Sequence, residues 1–263
     1  MRLLSLAVLL ALAPPALARE RLVLVGGGDR PPQALARLVE WAGGPRARVL
    51  VVLWATAEPD ESFASLKEDL EPHHPGSIER APLAPLTPER RREVLAQLQN
   101  ASAVFFSGGD QTRIMAALAE APEVLQALRE RYSSGVVFGG TSAGTAVMSD
   151  PMITGEGDFT VIDAAKVEVK PGLGLLPGTI VDQHFVKRQR ENRLFGLILH
   201  DPQRLGVGIE EDTALLVRDL RHAEVVGRGP VLMIDGKGGK DTLHIDLLRS
   251  GERFDLQRRK RER

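Results

Sequence analysis

The chain has 263 residues, a formal net charge of −1, 43% hydrophobic and 26% charged residues, and no cysteine. That is enough for one large α/β domain or two small ones, with an ordinary globular composition. The near-neutral charge gives no electrostatic case for nucleic-acid binding. The lack of cysteine excludes disulfides, a cysteine nucleophile and thiolate metal sites.

Residues 1–18 have the layout of a signal peptide. Arg2 precedes an apolar run over residues 3–13, and Pro14-Pro15-Ala16-Leu17-Ala18 supplies an A-x-A ending. The run is too short for a bilayer, which takes ~20 apolar residues. The expectation is export, to the periplasm or the medium, with cleavage near Ala18 and no stable membrane insertion. Residues 19–256 then read as a single domain, and residues 257–263 as a basic, disordered tail.

Residues 21–25 read as a buried strand that ends in Gly26-Gly27-Gly28-Asp29, and residues 33–41 as the following helix. The glycines do not match G-x-G-x-x-G, which disfavours a dinucleotide site. Strands follow at 48–53, 77–81 and 101–106, with helices at 60–70, 88–97, 112–119 and 123–132. Thr87-Pro88 marks a helix start, with a cap residue and proline at the first helical position. His73 and His74 lie in a loop without acidic or cysteine neighbours at metal-ligand spacing. A strand at 136–138 enters Gly139-Gly140-Thr141-Ser142-Ala143-Gly144. The pattern weakens over residues 150–177. A strand at 178–181 delivers Asp182-Gln183-His184-Phe185, and residues 186–199 read as a helix with Arg190 and Arg193 on one face. After a strand at 204–209 come four short stretches, at 213–218, 223–228, 230–235 and 242–247, that read as antiparallel strands. Strands alternating with helices predict an α/β fold, a doubly wound and mostly parallel central sheet flanked by helices, with extra C-terminal antiparallel strands. In such sheets ligands bind beyond the carboxyl ends of the strands, so the loops at 26–29, 107–111 and 139–142 should gather at one edge.

Gly140-Thr141-Ser142-Ala143-Gly144 is a G-x-S-x-G pattern between a strand and a helix. It reads as a nucleophile elbow with Ser142 at its tip; a Gly-rich turn with Ser142 as helix cap would look the same. Serine needs a base within hydrogen-bond reach. Of the six histidines, His184 alone sits just past a strand end among polar residues. Asp182, Glu210, Glu211 and Asp212 are candidate acids to orient it. The order Ser, His, acid differs from the Ser, acid, His order of α/β-hydrolases.

Phe106-Ser107-Gly108-Gly109-Asp110-Gln111, the Gly-Gly-Thr-Ser-Ala-Gly block, and Asp182-Gln183-His184-Phe185 with Arg188, Arg190 and Arg193 together resemble the cyanophycinases, as does Gly208-Ile209-Glu210-Glu211-Asp212-Thr213-Ala214. These are serine peptidases of family S51, which also holds aspartyl dipeptidases, on a class I glutamine amidotransferase-like fold. The resemblance covers residues 22–250. It implies Ser142 as nucleophile, His184 as general base and Glu211, in preference to Glu210, as the orienting acid. It implies the N–H groups of Gly109 and Ala143 as oxyanion hole, and Gln111, Asp182, Gln183, Arg188, Arg190 and Arg193 as substrate-binding residues. The implied substrate is cyanophycin, a poly-aspartate backbone with arginine joined to each side chain, cut to β-Asp-Arg dipeptides. No metal or organic cofactor is required, and a homodimer is implied. Arginine forks suit the carboxylates of such a substrate, and acids such as Asp182 suit its guanidinium groups. The competing readings are an α-aspartyl dipeptidase of the same family and a catalytically silent peptide-binding module.

Overall fold

The computed structural model describes residues 20–239 and 241–262. The expected signal peptide, residues 1–18, lies outside the described residues. Among the described residues no helix is long and apolar enough to cross a membrane.

The first half alternates strand and helix: β1 (Arg21–Val25), α1 (Pro32–Trp41), β2 (Arg48–Val52), α2 (Pro59–Leu70), β3 (Ser77–Arg80), α3 (Pro88–Asn100), β4 (Ala103–Phe106), α4 (Gln111–Ala119), α5 (Pro122–Ser133), β5 (Val137–Thr141) and the short α6 (Ala143–Ala146). Then come β6 (Met152–Gly157), β7 (Val167–Lys170), β8 (Thr179–Gln183), α7 (Glu191–His200) and β9 (Leu205–Ile209). The chain ends in β10 (Thr213–Arg218), β11 (His222–Gly227), β12 (Val231–Asp235), β13 (His244–Leu248), β14 (Arg253–Asp255) and β15 (Lys260–Arg261).

Strands β1, β5, β4, β2 and β3 pair in parallel at the heart of a nine-stranded sheet, and β10, β11, β14 and β15 extend it antiparallel beyond β1. Side chains alternate across this sheet. Val23, Val25, Val49, Val51 and Phe105 pack with Leu35, Leu38, Leu66 and Leu70 of α1 and α2. Leu22, Leu24, Leu50, Val52 and Phe106 pack with Leu98, Ile114, Leu118 and Leu128 of α3, α4 and α5. Both faces are therefore buried, which is why the strands read as continuous apolar runs. Each such Leu or Phe taken from water stabilises the fold by about 1.5–3 kcal/mol. At the start of α3, the Thr87 hydroxyl accepts a hydrogen bond from the Arg90 N–H at 3.4 Å, with Pro88 opening the helix.

A second sheet was not separately legible. It has the order β13-β12-β9-β8, with β8 and β9 parallel. β6 and β7 form a separate hairpin within the region of weak pattern.

The expected disordered tail is corrected by its contacts. Lys260–Arg261 pairs with β14. The Asp255 carboxylate accepts from the N–H groups of Gln257 and Arg258 at 3.0 and 2.8 Å. Arg259 pairs with Asp235, and Arg261 with Asp246 and Glu252. Acidic partners from distant strands turn the basic run into ordered structure. Arg263 lies outside the described residues.

Candidate active site

The loops after β1, β4 and β5 do gather at one edge. Together with the first turns of α2 they line a cleft of about 420 Å³ that has Ser142 at its floor. Ser142 sits between β5 and α6 with φ 53° and ψ −112°, a conformation costing a non-glycine residue about 1–3 kcal/mol. Several hydrogen bonds hold it there. The Ser142 N–H donates to the Val25 carbonyl at 3.0 Å, continuing the parallel ladder. The Thr145 hydroxyl contacts the Val25 and Gly140 carbonyls at 2.7 and 2.8 Å. At Gly140 a Cβ would lie 2.2 Å from the Gly144 carbonyl oxygen, so the turn closes only around glycine. The Ser142 hydroxyl does not cap α6. It points to the His184 Nε2, 2.8 Å away.

His184 follows β8 with φ 48° and is 6% exposed. Its N–H donates to the Gly26 carbonyl at 2.8 Å, and its Nδ1 lies 2.6 Å from a Glu211 carboxylate oxygen. The imidazole thus bridges hydroxyl and carboxylate. Gly27 makes room for it: a Cβ there would sit 2.1 Å from His184 Cε1. The triple glycine after β1 was visible in the sequence, but this reason for it arises only in the tertiary fold. Burial, before anything else, pushes the His184 pKa below its ordinary 6.5; the Glu211 hydrogen bond opposes this, and the Arg188 charge reinforces it. The ring is therefore neutral at pH 7 and able to accept a proton.

The two glutamates after β9 have different tasks. Glu211 faces the imidazole. Glu210 accepts from the N–H groups of Val186 and Lys187 at 2.8 and 2.9 Å and from the Glu211 N–H at 2.7 Å. The expected helix over residues 186–199 is corrected. α7 begins at Glu191, because Gln189 takes a φ of 53°, which a right-handed helix cannot contain.

The proposed oxyanion donors flank the serine. Ala143 is the first residue of α6, so its N–H has no acceptor within the helix. Gly109 lies in the loop after β4, pressed against Ala55 at φ 133°. A Cβ on the preceding Gly108 would be 3.4 Å from Ser142 Cβ, which puts this loop alongside Ser142.

Of the residues expected to bind substrate, some face the site and some do not. Gln183 Oε1 lies 3.5 Å from the Ser142 hydroxyl and accepts from Arg190 at 2.8 Å. Burial, and then the neighbouring Arg193 charge, lower the Arg190 pKa to about 10. The guanidinium stays charged at neutral pH. Arg188 is exposed. Gln111 is buried and donates to the Ile153 carbonyl at 2.8 Å. Asp182 and Arg193 are each 1% exposed and grip one another through both carboxylate oxygens. Arg193 also donates to the Thr154 carbonyl at 3.3 Å and lies 4.7 Å over the Phe159 ring. The reading of Asp182 and Arg193 as direct substrate ligands is corrected: they are buried and paired with each other. Their separation along the chain, across strand, turn and helix, gave no sign of this pairing. Glu61 and Arg30 on the α2 side of the cleft were missed, and no motif marks them.

The model of peptidase family S51 matches residues 22–225. A cyanophycinase of Geminocystis herdmanii (strain PCC 6308) is 31% identical over 233 residues, covering 86% of this chain and 84% of that protein. A cyanophycinase of Synechococcus elongatus is 33% identical over 228 residues, 85% of this chain and 71% of that protein. Among solved structures, a peptidase from an acI-B1 Actinobacterium matches with a TM-score of 0.69 at 24% identity, over 90% of this chain and 96% of that one, a likeness of fold. The chain belongs to peptidase family S51 and is a serine-type peptidase.

Proposed function

We propose that this chain is an exported cyanophycinase. It hydrolyses multi-L-arginyl-poly-L-aspartate to β-Asp-Arg dipeptides, acting as an exopeptidase through a Ser142-His184-Glu211 triad. The single observation that carries the mechanism is the imidazole bridging Ser142 and Glu211, at 2.8 and 2.6 Å. The names of the relatives support the substrate.

In this reading His184 Nε2 takes the Ser142 proton as Oγ attacks the backbone carbonyl of an aspartyl residue. The N–H groups of Gly109 and Ala143 hold the oxyanion. Glu211 keeps the imidazole oriented and stabilises its cationic form. The tetrahedral adduct collapses, His184 gives its proton to the leaving amine, and an acyl-enzyme remains. Water, deprotonated by His184, attacks the ester and restores Ser142. Arg188 and Arg190 face the substrate's carboxylates, and Gln183 adds an amide beside the serine.

The test is to incubate the protein separately with cyanophycin, α-Asp-Arg and β-Asp-Arg and to resolve the products by chromatography and mass. β-Asp-Arg should appear from the polymer. Cleavage of α-Asp-Arg alone would make the chain an aspartyl dipeptidase, and binding without cleavage a silent module. Export rests on the layout of residues 1–18, and native protein retaining Met1 in the cytoplasm contradicts it. A homodimer rests on the resemblance alone, and sedimentation checks it.

A further inference from the structure

A polymer that carries a guanidinium on every residue needs an acidic partner beside the scissile bond. Asp182 cannot serve, because Arg193 occupies both its oxygens. The turn after β8 otherwise presents the cations Arg188 and Arg190. The cleft that Ser142 lines together with α2 is different. Among the described residues lining the cleft, Glu61 is the sole carboxylate and Arg30 the sole cation. Arg30 is engaged by partners other than Glu61. It pairs with Asp69 and donates to the Ser65 hydroxyl. The Glu61 carboxylate is thus exposed to the cleft and unopposed.

The helix start that carries Glu61 is pinned. Glu61 lies in the first turn of α2, where the helix dipole favours a negative charge. The Ser62 N–H donates to the Glu58 carbonyl at 3.0 Å, and the hydroxyls of Ser62 and Thr56 meet at 3.0 Å. The Thr56 hydroxyl in turn accepts from the Glu58 N–H at 3.0 Å.

We infer that Glu61 is a specificity-determining residue. It receives the guanidinium of the substrate residue that flanks the scissile bond on the α2 side, opposite the residue held by Arg188 and Arg190. This rests on the cyanophycinase reading above. Ser142 then lies between a subsite that reads carboxylate and one that reads guanidinium.

The experiment compares wild type and Glu61→Gln on two polymers. One is cyanophycin. The other is cyanophycin deiminated to citrulline, which keeps the shape and replaces the cation with a neutral urea. On the arginyl polymer, Glu61→Gln should lose about tenfold in kcat/KM, through KM rather than kcat, the worth of one charge-assisted hydrogen bond. On the citrulline polymer the same change should lose less than about twofold, because the pairing is already gone. Glu61→Asp should recover part of the loss. Equal losses on both polymers, or no loss on the arginyl one, would overturn the assignment of Glu61 while leaving the cyanophycinase reading intact. A wild type that releases no dipeptide from the arginyl polymer overturns both.

Discussion

The nine-stranded sheet carries Ser142, and the four-stranded sheet carries the His184 and Glu211 side chains that meet it. Ser142 follows β5 in the larger sheet; His184 and Glu211 follow β8 and β9 in the smaller one. The central strands of the larger sheet are buried on both faces, and the contribution of this sheet is geometric: a strained turn on a stiff support. The smaller sheet ends in ionisable side chains packed against one another. The two meet at Gly26 and Gly27. Gly26 accepts from the His184 N–H at 2.8 Å, and Gly27 from the Asp212 N–H at 2.9 Å. With Ser142 and His184 on separate sheets, the distance between them is a property of that junction.

Breaking each side separately sharpens the contrast. Ser142→Ala removes the nucleophile without disturbing the support. Turnover should fall roughly a millionfold with the fold intact, read by dipeptide release and circular dichroism. Glu211→Gln on the other side should lower kcat about 10⁴-fold, whereas Glu210→Gln should cost about tenfold, because Glu210 holds backbone rather than imidazole. Equal losses would erase the distinction between the two glutamates. At the junction, Gly27→Ala drives a methyl group into the imidazole and should cost at least about a hundredfold in kcat.

The next contrast is between two arginines of one turn and helix. Arg193→Met leaves Asp182 buried without its partner and should destabilise the fold by about 3–5 kcal/mol, seen as a drop of roughly 10 °C in Tm. Arg188→Gln, at an exposed position, should leave Tm nearly unchanged. Its effect should appear in the pH profile. His184 must be neutral to act as base, so kcat/KM is full above its pKa and falls as pH drops through it. Burial places that acid limb below 6.5. The Arg188 charge helps to hold it down, so Arg188→Gln should move the limb to higher pH. An unmoved limb would show that the Arg188 charge does not reach the imidazole.

Local features were legible in the sequence. The parallel strands announce themselves because both faces of the sheet are buried, and the elbow because its glycines and serine are contiguous. His184 could be chosen from its place after a strand. What lay hidden was set by partners far apart in the chain. Residues 186–190 have a helical composition, but Gln189 takes a φ of 53°, and a carboxylate from the turn after β9 holds the Val186 and Lys187 N–H groups. Arg193 read as a substrate-binding residue, yet it closes on Asp182. The tail looked solvated until Asp235, Asp246 and Glu252 came to meet it. Charge in a sequence shows what a residue can pair with, and only the fold shows which partner arrives first.

The most direct test of the account is covalent. The protein is treated with an organofluorophosphate, and loss of dipeptide release from cyanophycin is followed alongside peptide mass mapping. A single adduct on Ser142 whose extent matches the activity lost is expected, with labelling slowed in Glu211→Gln. Full modification of Ser142 with activity retained, or inactivation by an adduct elsewhere, would contradict it.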